Sequence, residues 1–235
     1  MRSSGHWLEG AGTGATPEQL ARMASSDLVT LRREAAKHSA TPPEILARLA
    51  TDPDEDVRYI VAHNSAAPPE ALDLLLDEDD HILGQALAQH HNASPELLRR
   101  LAVNVDARVV AAAVAHPCCP IQVLQARQHH ADWRVRAGVA INSGATVEII
   151  TALAADLHND VRIGIAQHPH TPPEILARLA SDRDWQVRAR VAANYRTPVP
   201  VLTELARDGL GAVRHCALGN RSLPDHIRAL AQIAQ

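Results

Sequence analysis

Aliphatic and polar positions recur along this chain at one fixed interval. Eight times, every 26 residues, an aliphatic residue is followed seven positions later by Asn or His. The aliphatic anchors are Leu31, Val57, Leu83, Val109, Val135, Val161, Val187 and Val213. Their polar companions are His38, Asn64, His90, His116, Asn142, His168, Asn194 and Asn220. A fixed period of about 20–50 residues predicts small units stacked on copies of themselves.

Each unit predicts two short helices. In the copy from Thr41 to Ala66, Thr-Pro-Pro-Glu is a start signal. It offers a hydroxyl suited to capping, prolines where the first turn needs no N–H, and an acid at the positive end of the dipole. Ile45, Leu46, Leu49 and Ala50 then form one helical face. Asp52-Pro53-Asp54 breaks the chain. Asp54, three residues before Val57, is placed to cap a second helix that buries Val57, Val61 and Ala62 and ends near Asn64. Asp80, Asp106, Asp132 and Asp184 hold the equivalent place. The first helices share the row Leu20, Leu46, Leu72, Leu98, Leu124, Ile150, Leu176 and Leu202. Helices of two to three turns do not persist alone in water, so stacking must fold them. The expectation is an all-α solenoid of about eight two-helix repeats. Residues 1–14, with Gly10, Gly12 and Gly14, read as a flexible tail. Residues 15–235 read as a single repeat domain with a capping helix from about 223.

The segment TPPEILARLATDPDEDVRYIVAHN from Thr41 and its near copy TPPEILARLASDRDWQVRARVAAN from Thr171 resemble the bacterial leucine-rich repeat variant family. The shared Pro-Glu, Leu-x-x-Leu-Ala and Val-Arg elements extend the resemblance over nearly the whole chain. It implies a right-handed superhelix of alternating α- and 3₁₀-helices without strands. Some members of that family carry an N-terminal cysteine cluster for an iron–sulfur centre. Here no cysteine precedes Cys118, so that group is not carried over and no cofactor is expected.

Charge and cysteine content narrow the function classes. A formal charge of −4 argues against nonspecific nucleic-acid binding, which needs Lys and Arg on phosphates. Three cysteines, two of them adjacent, do not read as a disulfide framework, which points to a reduced, cytoplasmic setting. The first residues lack the apolar core of a signal peptide, and no run is long and apolar enough to span a bilayer. Nothing in the sequence sets the oligomeric state.

Two polar rows accompany the anchors. Arg32, Arg58, Arg136, Arg162, Arg188 and Arg214 directly follow them, interrupted by Gly84 and Val110. They read either as a stripe for phosphates or acidic peptides, or as partners of turn acids such as Asp52, Asp156, Asp182 and Asp208. An acid lies six residues before most of them, and the internal pairing is favoured. The Asn/His row either holds an extended peptide by its backbone or caps helix ends, with the cap favoured. More distinctive is the outward face of the central second helices, two, three and six residues after the anchor. It carries Ala111, Ala112, Ala115, Ala137, Gly138, Ile141, Ile163, Gly164 and Gln167, nearly all small or aliphatic. With Arg136 and Arg162 beside it, this is the candidate groove for a protein or peptide. The competing reading is that small residues permit close packing.

The fourth repeat departs from pattern. Arg127-Gln128 replaces Leu-Ala, His129, His130 and Trp133 follow, and the repeat opens Cys118-Cys119-Pro120. Cys118, Cys119, His129 and His130, with His116, have the chemistry of metal ligands. Their spacing matches no familiar site, so a degenerate, partly open repeat is preferred to a metal-carrying module. The run Asp77-Glu78-Asp79-Asp80 lacks calcium-loop spacing. Phosphate-loop, nucleophile-elbow and zinc-protease motifs are missing. The leading expectation is therefore a non-enzymatic protein-binding scaffold using the concave face. The rival is a nucleic-acid-binding protein similar to HEAT-like alkylpurine DNA glycosylases, with Trp133, Trp185, Asp132 and Asp184 as candidate base-reading residues. The 26-residue unit is short for that class.

Overall fold

The computed structural model describes residues 14–76 and 80–233. The tail expected over residues 1–14 falls almost wholly outside this range, as do positions 77–79 of the acidic run. The described residues form seventeen α-helices and no strands. They divide into two compact units, residues 1–109 and 110–235.

The first unit holds α1 (Pro17–Ala24), α2 (Val29–Lys37), α3 (Pro43–Leu49), α4 (Glu55–His63), α5 (Pro69–Leu74), α6 (His81–Gln89), α7 (Pro95–Leu101) and the start of α8 (Ala107–Ala115). Odd-numbered helices up to α15 are the short first members of each repeat, and even-numbered helices are the nine-residue second members. Both kinds are α-helical. Tighter i→i−3 bonds occur at their ends, for instance Asp52 N–H to the Leu49 carbonyl at 3.1 Å. Asp54 and Asp80 cap α4 and α6, accepting from the amides of Val57 and Leu83. Leu20, Leu46, Leu72 and Leu98 are fully buried, as is Val57. Leu31, at the anchor of the first repeat, is only half-buried.

The second unit holds the rest of α8, then α9 (Ile121–Arg127), α10 (Trp133–Ile141), α11 (Val147–Leu153), α12 (Asn159–Gln167), α13 (Pro173–Leu179), α14 (Trp185–Ala193), α15 (Val199–Leu205), α16 (Gly211–Gly219) and α17 (Asp225–Ile233). Leu124, Ile150, Leu176 and Leu202 form its first-helix core. The anchors Val135, Val161, Val187 and Val213 face them, all fully buried.

One cap differs from the sequence expectation. Thr41 does not cap α3, whose N-cap is Pro42. Its hydroxyl instead donates back to the Ala35 carbonyl at 2.6 Å. Thr171 and Thr197 do the same to Ile165 and Val191 at 2.6 Å. The threonine thus ties a second helix to the loop that follows it. Where the row lacks a hydroxyl, Ala67, Ala93 and Ala145 fill the same buried slot.

Candidate functional site

The arginine row is an internal ladder whose carboxylates lie 20 residues downstream. Arg136 donates to both oxygens of Asp156 at 2.6 and 2.9 Å, and Arg162 to both of Asp182 at 2.7 and 3.0 Å. Arg188 meets Asp208, and Arg32 in the first unit meets Asp52, in the same two-pronged way. The residue six positions upstream contributes its carbonyl instead. Arg162 reaches the Asp156 carbonyl at 2.7 Å, and Arg58 the Asp52 carbonyl at 2.8 Å. Each turn aspartate therefore takes one guanidinium on its carboxylate and the next on its backbone. This two-pronged geometry is what the planar guanidinium provides. Burial pushes the Asp182 carboxyl upward, but the bonds from Arg162 and the Asp184 amide outweigh it and hold the group below the usual carboxylate range.

A sequence signal for this offset exists. Where the arginine row breaks at Gly84 and Val110, the positions 20 residues on hold no acid but Asn104 and His130. Reading each repeat singly hides the correlation.

The Asn/His row is also internal, and it is more than a local cap. Asn142 Nδ2 donates to the carbonyls of Val114 and His116 at 2.7 and 2.8 Å. Asn194 and Asn220 repeat these bonds to residues 28 and 26 positions earlier, and Asn64 does so in the first unit. Each Oδ1 accepts from the amide two residues on, as Gly144 N–H does to Asn142 at 2.8 Å. Histidine substitutes by placing Nε2 2.9 Å from the preceding ladder carbonyl, His168 on Asn142 and His90 on Asn64. Its Nδ1 accepts from the amide two residues on. Burial lowers the His168 pKa below its ordinary value, keeping the ring neutral. These amides and rings are buried, so a peptide cannot use them.

With both rows taken up internally, the outward face of α8, α10 and α12 in the second unit stands out. Ala111, Ala112, Ala115, Ala137 and Ile163 are half-buried, and Ile141 is 50% exposed. Gln167 is exposed at its edge. The two glycines behave differently. A Cβ on Gly138 would lie 2.6 Å from the Ala111 carbonyl oxygen, and one on Gly164 would lie 2.9 Å from the Ala140 Cβ. Both are buried contact points where one second helix rests on the previous one. Arg136 and Arg162 are turned into the ladder described above.

The structure carries this face further along the second unit. A hollow of about 240 Å³ lies on α12, α14 and α16, with Ile163, Trp185, Ala189, Arg190, Ala193 and Cys216 in its wall. Ala189 and Ala193 stand two and six residues after the Val187 anchor, the same positions as the central small residues. That was the available signal.

The fourth repeat is a degenerate, partly open one. Of α9 only Leu124 is buried, whereas α11 and α13 each bury three residues. Gln128 bonds the Gln125 carbonyl at 3.1 Å. Cys119 fills the small buried slot used elsewhere by Thr or Ala, while Cys118 and His129 are exposed. His130 Nδ1 accepts from the Asp132 amide at 3.1 Å. Among the described residues no group of three or more His, Cys, Asp or Glu is arranged to hold a metal ion. Trp133 stacks flat on His158 with centroids 3.9 Å apart, and Asp132 and Asp184 cap α10 and α14. No helix among the described residues is long and apolar enough to cross a membrane.

Comparison with known proteins agrees with this geometry. The family model for the leucine rich repeat variant matches residues 29–54 and 160–184. A solved structure described as a leucine-rich repeat variant with a novel repetitive structural motif is similar over 86% of this chain and 81% of that one. The identity is 26% and the TM-score 0.60. An engineered protein aligns over 92% of this chain and 81% of its own, at 18% identity and a TM-score of 0.41. No curated protein matches. The chain is a helical-repeat scaffold that is similar, in two of its repeats and in overall fold, to the leucine-rich repeat variant.

Proposed function

We propose that this scaffold is a non-enzymatic, cytoplasmic binding protein that holds a segment of another protein against the outward face of its second helices in the second unit. The observation that carries this reading is the face of α8, α10 and α12. Half-buried alanines and a half-exposed Ile141 occupy positions where solvent-facing polar side chains would be expected. Arg136, Arg162 and the Asn/His row are bound internally and supply no competing polar site. Three free cysteines fit a reducing compartment.

The test is affinity capture from lysate with the wild-type chain, Ala112→Glu and Ile141→Asp, alongside far-UV circular dichroism. Both variants are expected to lose the captured partner while keeping helical signal and melting temperature. Capture unchanged by both would remove the face from consideration. Gly138 is unsuitable for this experiment, because any side chain there strikes the Ala111 backbone. A salt titration with duplex and single-stranded DNA serves as the counter-test, with no binding expected even at low salt.

A further inference from the structure

We infer that the hollow on α12, α14 and α16 receives an aliphatic side chain of the bound segment together with an adjacent carboxylate, so that the preferred partner is an acidic-aliphatic peptide. The inference rests on the segment-binding reading above and names the chemistry of its partner.

Charge is the first argument. Arg190 is exposed at the wall of the hollow, and its guanidinium makes no hydrogen bond or ion pair among the described residues. This sets it apart from Arg162 and Arg188 on the same and neighbouring helices, whose guanidinium groups are each taken up by an aspartate and a carbonyl. The nearest acid in sequence to the hollow wall, Asp184, has one oxygen on the Gln186 amide at 2.8 Å and the other on Asn159 Nδ2 at 2.6 Å. It makes no ion pair with Arg190. An unpaired guanidinium beside an apolar wall suits a planar carboxylate, which it can grip with two bonds.

Shape and surface are the second argument. Ile163, Ala189, Ala193 and Cys216 give the hollow an apolar floor and sides, and Trp185 is 43% exposed at its rim. The volume of about 240 Å³ suits one large aliphatic side chain with its backbone, and is too small for a folded domain. The unit itself carries thirteen arginines against ten acidic residues between 110 and 235, whereas the chain as a whole is negative. An acidic segment is therefore drawn to this half of the molecule by its general field as well as by Arg190.

The test uses ¹⁵N-edited NMR of the full chain and three Gly-Ser peptides, each with one central pair: Leu-Glu, Leu-Gln or Leu-Lys. The reporter is the Trp185 indole N–H signal, assigned by its loss in Trp185→Phe. The Leu-Glu peptide is expected to shift that signal with a Kd of about 1 mM, the range for one side chain and one ion pair. Leu-Gln should bind about fivefold more weakly and Leu-Lys not measurably, with the difference shrinking as salt is raised. Among the described residues Arg190 makes no side-chain bond, so Arg190→Glu should fold normally and reverse the order, favouring Leu-Lys. Equal binding of Leu-Glu and Leu-Gln, an order unchanged in Arg190→Glu, or no response from any peptide would overturn the inference. So would an indole shift produced by raising the protein concentration alone, which would assign the hollow to a second copy of the chain. If the peptides fail here while Ile141→Asp still abolishes capture, segment binding stands and only this pocket assignment falls. If both fail, both fall.

Discussion

Replacing Asp182 by Ala removes the carboxylate that receives Arg162 but leaves the backbone carbonyl that receives Arg188 at 2.8 Å. The two side chains are only 8% and 9% exposed, so the pair is shielded from water and from salt. Deleting one partner of such a pair strands a buried charge, which costs about 3–5 kcal/mol. With a urea dependence of about 3 kcal/mol per molar, the midpoint should fall by about 1–2 M. Asp182→Asn should sit at the lower end, because its amide oxygen keeps one acceptor. The chain supplies its own control, since Val110 and His130 occupy the equivalent positions in place of an Arg–Asp pair. Arg162→Val with Asp182→His copies that arrangement. The double variant should lose only about 1–2 kcal/mol, for the donor taken from the carbonyls of Asp156 and Leu157. The double-mutant cycle built with the single variants Arg162→Val and Asp182→His, measured by urea unfolding under circular dichroism, should then show coupling above about 2 kcal/mol. Additive losses, or a single-variant cost below about 1 kcal/mol, would refute the ladder as a structural element.

The ladder also sets the acid response. Asp52, Asp156, Asp182 and Asp208 are each held below their ordinary pKa of 3.8, so the unfolded chain binds protons more readily there. Their stabilisation is present above about pH 4 and drains away as pH falls through the lowered folded values, which a series of melting temperatures at decreasing pH will display. His168 adds a separate limb. Its folded pKa lies below 6.5, so stability is full above that pH and declines as pH drops toward the folded value. His168→Asn can form the bonds that Asn142 makes, and should cost under about 1.5 kcal/mol while abolishing this limb. Gly138→Ala must displace the Ala111 backbone and should cost about 1–3 kcal/mol. Gly219→Ala, with open space around its Cβ, should instead gain about 0.5–1 kcal/mol of helix stability. Leu176→Ala, at a fully buried position, should lose about 2–5 kcal/mol in the same assay.

The repeating framework was legible because burial and period coincide. All eight members of the first-helix row, from Leu20 to Leu202, are fully buried, and the aspartates expected to cap second helices at 54, 80, 132 and 184 do so. Long side chains were harder to place, since their partners lie in a different repeat from their own. Arg162 finds its acid 20 residues ahead, and Asn142 finds its carbonyls 26 and 28 residues behind. A single-repeat view assigns both locally. The small and apolar residue types of the second-helix face are visible in the sequence. Which of its members touch a neighbouring helix depends on interhelix distance, which residue type alone does not encode. Gly138 and Gly164 turn out to be contacts, while Ile141 is half-exposed with its Cγ2 lying against Gly164. The hollow beside Arg190 is not legible in the sequence, because an arginine at an outward position reads as an ordinary polar rim.

Adjacent repeats are locked together by the buried side-chain amides of the Asn row. Side-chain amide exchange by ¹⁵N-edited NMR reads this locking directly, at Asn64, Asn142, Asn194 and Asn220, with the exposed Gln186 as internal reference. The account predicts that all four Nδ2 groups exchange with solvent far more slowly than Gln186 and show contacts to the residues 26 and 28 positions earlier. Exchange as fast as that of Gln186, without those contacts, would contradict it.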